Sequence, residues 1–245
     1  MAYRHEWKHV ISPADLLVLR QRLPLLMEWD PHATGGEYLV RSLYFDNAAD
    51  TILREKLDGV NVREKFRLRY YNGDPTFLRL EKKSKINGLC LKQTAPLSPA
   101  QAQALLSREL NWMKSSPVPL HRELYDRMLH RGLRPKTVVD YSEEIALPDL
   151  PIPEHIANLP DHYAFCKRTG TPLVKTVTLD YNLRTAACCA DFSDPACLTL
   201  PVGASPIILE VKWDEYLPDI IRDAVQLPNC RSGAFSKYAQ CRIYG

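Results

Sequence analysis

The sequence of 245 residues predicts an α+β domain built on a closed or nearly closed antiparallel β-barrel with peripheral helices. Three observations predict it. Strand-like runs follow one another across tight turns, helical segments interrupt the strands rather than alternate with them, and there is no Gly-rich phosphate loop of the GxxxxGK[ST] or GxGxxG type. A barrel of this size forms one unit, so residues 1–245 are read as a single domain.

Along the chain, Ser12 as cap and Pro13 at the first helical position start a helix carrying Leu16, Leu17, Leu19 and Leu23. Arg41 to Asp46 reads as a short β-prone strand. Three runs then come in close order, Val62 to Tyr71, Thr76 to Lys83 and Leu89 to Ala95. Asn72-Gly73-Asp74-Pro75 and Asn87-Gly88 separate them as hairpin turns. Ser98-Pro99 opens a helix over Ala100 to Leu110, and another spans Leu120 to Arg131 with Gly132 as its C-terminal cap. After a strand at Lys136 to Tyr141, the stretch holding Pro148, Pro151, Pro153 and Pro160 reads as a long loop. Strands resume at Leu173 to Asp180 and Ile207 to Trp213, followed by a short helix from Leu217 to Val225 and a tail ending SKYAQCRIYG.

The composition, 45% hydrophobic and 25% charged, is that of a soluble globular protein, and no apolar run reaches the roughly 18 residues that span a bilayer. Charges interrupt the N-terminal MAYRHEWKHVIS, so no export signal is read there and a cytoplasmic location is expected. The seven cysteines, at 90, 166, 188, 189, 197, 230 and 241, form no CxxC pair or zinc spacing, which fits a reducing compartment and buried or idle thiols. The net charge of +3, from 32 basic and 29 acidic residues, says little about partners. Their distribution says more.

Residues two apart in a strand share a face. In VREKFRLRYY this sets Arg63, Lys65, Arg67 and Arg69 on one side and Phe66, Leu68 and Tyr70 on the other. In FLRLEKKSK, Arg79, Glu81, Lys83 and Lys85 oppose Leu78, Leu80 and Lys82; Lys92 and Lys175 extend the pattern to two further strands. Any one such face is open to a second reading, as the solvated outside of a half-buried sheet. Repeated on neighbouring strands, like charges repel by some tenths of a kcal/mol per pair and call for a polyanion. Two carboxylates share faces with cations, Glu6 with Lys8 and Glu210 with Lys212. Glu6 either neutralises an ammonium or binds metal; Glu210 is the better candidate ligand for a hard divalent cation such as Mg²⁺ or Mn²⁺, and Glu81 is a third carboxylate on the face of Lys83.

Together EWKHVIS, SLYFDN, REKFRLRYYNGD, LEKKSKINGLCLKQ, VVDY, VKTVTLDYNLR, ILEVKW and FSKY, spread in order over nearly the whole chain, resemble the VTC domain. This is the polyphosphate polymerase branch of the triphosphate tunnel metalloenzyme superfamily. The resemblance implies an antiparallel β-barrel tunnel that binds ATP and inorganic polyphosphate, and a glutamate that holds Mn²⁺ or Mg²⁺. It also implies transfer of the γ-phosphate of ATP to a growing chain. Carried over residue by residue, it places Lys8, Arg67, Arg69, Lys83, Lys92 and Lys175 on phosphate-binding cations, Tyr141, Ser236 and Lys237 on polar substrate contacts, and Glu210 on the metal ligand. Lys237 joins the catalytic cations, and Glu6, Arg63, Lys65, Glu81, Lys85, Arg184 and Lys212 complete the substrate-binding set with Tyr141 and Ser236.

The chain departs from that pattern in two places. Tyr141-Ser142-Glu143 puts an acid where the resemblance expects arginine, with Lys167 or Arg168 as substitutes, and Ala234 stands where some relatives carry lysine. No phosphate-sensing SPX domain or membrane helix accompanies the domain, so a free-standing bacterial-type protein is expected. A triphosphate hydrolase on the same barrel is the nearest alternative, disfavoured because Glu6 and Lys8 stand without a fuller ExExK set. A polyphosphate-binding domain without catalysis is a third, motivated by Glu143, and nucleic-acid binding is the weakest because the aromatics are not spaced along an open face. Loss of Arg67 or Lys83 is expected to abolish turnover with the melting temperature unchanged or raised.

Overall fold

The structure, a computed structural model, describes residues 3–33, 35–148, 174–186, 188–203, 205–228 and 233–244. The side chains of 148, 174 and 175 lie outside the description, as do the Pro-rich stretch beyond 148, Lys167 and Arg168. Strand β1 (His5–Ile11) leads into α1 (Pro13–Arg22), whose start is a reciprocal cap: Ser12 Oγ accepts from the Asp15 amide and Asp15 accepts from the Ser12 amide. Then come β2 (Met27–Trp29), β3 (Tyr38–Asp46), α2 (Thr51–Leu57), β4 (Arg63–Tyr71), β5 (Asp74–Ile86) and β6 (Leu89–Leu97). Helices α3 (Pro99–Leu106), α4 (Asn111–Lys114) and α5 (Pro119–His130) follow, then β7 (Arg134–Pro148), β8 (Val174–Ala186), β9 (Thr199–Pro201), β10 (Ile207–Trp213), α6 (Asp219–Ala224) and α7 (Lys237–Tyr244).

The strands form one antiparallel sheet in the order β1-β10-β8-β7-β3-β4-β5-β6, with β2 and β9 attached to β7 and β8. The sheet curls until its two ends meet: Arg4 and Cys90 exchange backbone hydrogen bonds of 3.0 Å, tying the start of β1 to β6. The hairpin turns are those the sequence predicts. Asn72-Gly73 and Asn87-Gly88 all have positive φ, from 50° to 85°, the left-handed pair that matches strand twist.

The barrel is built inside out. Phe66, Leu68, Tyr70 and Leu80 point outward into a core with Leu105, Met113 and Leu124 of the helices, and Val177, Leu179, Leu209 and Val211 point into a second core with Leu19 and Leu23. Apolar burial outside leaves the inner wall to polar side chains. Lys82 lies on the outer face as predicted, where it pairs with Glu64 at 2.9 Å and with Glu123.

Several elements differ from the sequence expectation: β2, α2, α4 and β9 are not foreseen by it, and β8 runs past Asp180 to Ala186. The helix expected to Leu110 breaks after Leu106, where Arg108 takes a φ of 62°. Strand β7 runs on through Ser142, Glu143 and Glu144, a polar run that mimics a strand end but is buried here on both faces of the wall. The C-terminal segment forms helix α7, packed through buried Tyr238, Ala239 and Cys241.

Candidate functional site

The inner wall encloses a cavity of about 460 Å³. β1 contributes Glu6 and Lys8, β4 contributes Arg63, Lys65, Arg67 and Arg69, and β5 and β6 contribute Lys83, Lys85 and Lys92. Tyr141 and Glu143 reach it from β7, Glu210 and Lys212 from β10, and Ser236 and Lys237 from the start of α7. Alternation in each strand therefore brings these cations into one space, but Arg79, expected on the same face of β5, is exposed and does not line it. Glu81 sits directly behind them, 2% exposed, holding Arg67 at 2.6 Å and Lys92.

Arg184 is a correction to the sequence reading. It lines a separate cavity of about 580 Å³ with Arg41, Asp140 and Asn182, and its guanidinium donates to Thr199 Oγ1 (2.8 Å) and to the Thr199 carbonyl (2.5 Å). Asn182, at a φ of 55°, lies in the register shift between β7 and β8, and this bulge turns the rest of β8 away from the tunnel. The side chain of Lys175 lies outside the described residues.

Residues outside the candidate set also hold the cations of this cavity. Tyr44 Oη accepts a hydrogen bond from Arg67 Nη1 (2.9 Å), and its ring lies under the ammonium of Lys65 and stacks on Tyr238 at 5.2 Å. Asp180, 1% exposed, takes the ion pair of Lys237. In sequence, Tyr44 is one more β-prone residue of SLYFDN and Asp180 a strand end; only the alternation of each strand carries a signal for them.

Electrostatics follow from crowding. Burial works against every charge here, and neighbours decide which survive. For Glu6, burial is outweighed by Lys83 at 2.5 Å, with Lys8 also near, and its carboxyl falls to about 2. Burial opposes the Glu210 charge too, but Lys212, Lys8, Lys83 and Lys237 hold it well below the usual carboxylate range. Burial dominates for Lys65, and with Lys83, Arg67 and Lys8 nearby its ammonium drops to about 7 despite Tyr44; Lys92 falls to about 8 despite Glu81. The Tyr44 hydroxyl, which burial alone raises, is drawn to about 7 by Arg67, Lys65 and Arg69.

Hard divalent cations take oxygen ligands and keep sites for phosphate. Glu210 is buried on the inner wall opposite Thr178, whose buried Oγ1 has no hydrogen-bond partner among the described residues, and Glu6 is close enough to feel its charge. Among the described residues no group of three or more His, Cys, Asp or Glu converges. The chain thus offers one or two carboxylates and leaves the other positions to substrate oxygens or water, a donor set that fits Mg²⁺ or Mn²⁺ beside a phosphate chain.

A curled antiparallel sheet with a cation-lined lumen defines a triphosphate-tunnel type of fold. The VTC domain profile matches residues 3–144, and the chain belongs to that family. Among solved structures, a Hippeastrum protein named for adenylyl cyclase and described as having a dominant triphosphatase activity is similar over 99% of this chain and 95% of its own. The identity is 14% and the TM-score 0.53. The PH1819 protein of Pyrococcus horikoshii OT3 aligns at 14% identity and a TM-score of 0.39 over 91% of this chain and 84% of its own. Among curated proteins none matches significantly. No described helix is long and apolar enough to cross a membrane.

Proposed function

We propose that this chain is a metal-dependent polyphosphate polymerase that transfers the γ-phosphate of ATP to a polyphosphate chain threaded through the barrel. The observation that carries the reading is the convergence of Lys8, Arg67, Arg69, Lys83, Lys92 and Lys237 on one cavity, with buried Glu210 among them. Membership of the VTC domain family supports it. Phosphoryl transfer asks a protein for positioning and charge neutralisation rather than a covalent nucleophile. Arg67 and Arg69 supply planar guanidinium donors, and Lys8, Lys83 and Lys92 supply point charges. Tyr141 orients Arg69 through the 2.8 Å bond from Arg69 Nη2 to its hydroxyl, and Ser236 and Lys237 stand at the start of α7 as further phosphate contacts. Lys65, Arg63, Lys85 and Lys212 extend the cationic wall. Glu210 would hold the Mn²⁺ or Mg²⁺, which when bound neutralises charge on the phosphates.

Incubating the protein with ATP and Mn²⁺ and resolving the products on a gel tests the reading. Long polyphosphate with ADP is the expected result; orthophosphate alone, or no turnover, overturns it. Arg67→Ala is expected to lower turnover by about 100-fold or more, the scale seen when a charge-stabilising donor is removed.

A further inference from the structure

The acidic side chains of the tunnel wall are paired, with one exception among the described residues. Glu6 is held by Lys83 at 2.5 Å and Arg4 at 3.1 Å, Glu210 by Lys8 at 3.0 Å, Glu81 by Arg67 and Lys92, and Asp180 by Lys237. Glu143 lines the same cavity and is only 7% exposed, yet it makes no side-chain hydrogen bond or ion pair with any described residue. In the β7–β8 ladder it stands directly across from Asp180, so two carboxyl groups sit side by side on one inner face. The other groups that act on it or lie against it are Lys212 of β10, Arg69 of β4, Lys237 of α7, Tyr38 of β3 and Tyr141 of its own strand. Arg69 is committed to Ser42 and Tyr141, and Lys237 to Asp180.

We propose that Glu143 carries a proton in the free tunnel and donates it, as a neutral carboxylic acid, in a hydrogen bond to an oxygen of the bound phosphate chain. A buried carboxyl that makes no ion pair with a described residue and faces a second carboxyl favours the neutral form, and a neutral carboxyl owns an O–H donor. Burial and then Asp180 raise the Glu143 carboxyl above its ordinary range, against the pull of Lys212, Arg69 and Lys237. An arriving polyanion adds negative charge beside it and drives the same way. The proton stays on Glu143, and no bond to it breaks. An acid here therefore removes a formal charge from the wall but keeps a donor, as an apolar site does when it holds a carboxylic acid neutral for that purpose.

The donor role rests on the reading of the cavity as a phosphate tunnel. The experiment compares the full chain with its E143Q variant, whose amide mimics a neutral acid. Infrared spectroscopy reads the carbonyl band of a protonated carboxyl, and calorimetry with tripolyphosphate from pH 5.5 to 8.5, in buffers of different ionisation heat, reads affinity and proton uptake. The wild type is expected to show a protonated-carboxyl band that E143Q lacks. E143Q is expected to bind tripolyphosphate within about threefold of the wild type at pH 6, and to take up less proton where free Glu143 has begun to ionise. A band absent from the wild type, or unchanged in E143Q, overturns the proposal. So does binding by E143Q that is about tenfold tighter at every pH, the mark of a repelling carboxylate removed. A loss of turnover with binding intact also overturns it, in favour of a proton-accepting role. If the wild type fails to bind tripolyphosphate, the tunnel reading falls and the donor role with it, while the band still reports the proton. Should E143Q not fold, the wild-type band and its proton uptake decide alone.

Discussion

Lys65 shows at residue scale what inward alternation does to a side chain. Its ammonium falls to about 7, because burial and three neighbouring cations outweigh the single help of Tyr44. A lysine whose folded value lies below its unfolded value binds fewer protons folded than unfolded, so stability rises with pH between the two and the penalty is fullest below about 7. Lys65→Met is therefore expected to raise the melting temperature of the free protein, more at pH 6 than at pH 9, in paired calorimetric scans. Burial lowers the Lys83 ammonium as well, but Lys83 has a carboxylate partner that Lys65 lacks among the described residues, and here the expectation from sequence needs correcting. Its ammonium neutralises Glu6 at 2.5 Å, and Glu6 is a buried carboxylate. Lys83→Met leaves Glu6 with Arg4, at a cost of about 2 kcal/mol, below the full value for a wholly buried pair because Lys83 remains 21% exposed. Adding Glu6→Gln restores most of that loss if the pair is the cause, and the double-mutant cycle measures it.

At the scale of elements, the long strands and their hairpins were legible, while the end of β7 and the last helix were not. The β4–β5–β6 meander could be read because Asn-Gly turns punctuate it and its apolar residues alternate with its cations. Strand β7 runs past its expected end because Tyr141 and Glu143, on its inward face, meet a polar lumen, and a polar lumen erases the contrast that marks a strand. Helix α7 is not legible for a related reason: its burial depends on a partner distant in sequence. Tyr238 Oη donates to Asp46 Oδ2 at 2.6 Å, while the same Asp46 carboxylate accepts from the Ile52 and Leu53 amides that open α2. Asp46 thus ties α7, α2 and the end of β3 together just behind the tunnel. Tyr238→Phe keeps the stack on Tyr44 but loses this buried, charge-assisted bond, worth about 1.5–3 kcal/mol. Faster amide exchange in α7 and several-fold weaker tripolyphosphate binding are expected, since Ser236 and Lys237 are carried by that helix. Unchanged exchange would show that packing alone holds α7.

For the whole molecule, a net charge of +3 hides the main fact, that cations are gathered inside the barrel while their partners are only partly there. With its apolar cores outside, the barrel tolerates this concentration because the helices, not the lumen, supply the burial that holds the sheet closed. The free tunnel is therefore under electrostatic tension that a polyanion relieves. Lys56, Lys65 and Lys92 register it: burial and neighbouring cations lower them to about 8, about 7 and about 8. Phosphate oxygens beside these amines favour their charged forms, so at pH 8 binding takes up protons, and affinity falls as pH rises from about 7 to 9. Lys65→Met is expected to remove part of that uptake without involving Glu143. At tripolyphosphate concentrations about 100 times the Kd, the ligand adds about 2.7 kcal/mol to stability and, for a chain of this size, raises the melting temperature by about 5–10 °C. Added salt screens the same charges and shrinks the shift. Sulfate at equal ionic strength separates general screening from recognition of a chain. If sulfate stabilises the protein as much as tripolyphosphate does, the lumen holds single anions and the barrel has no use for its length.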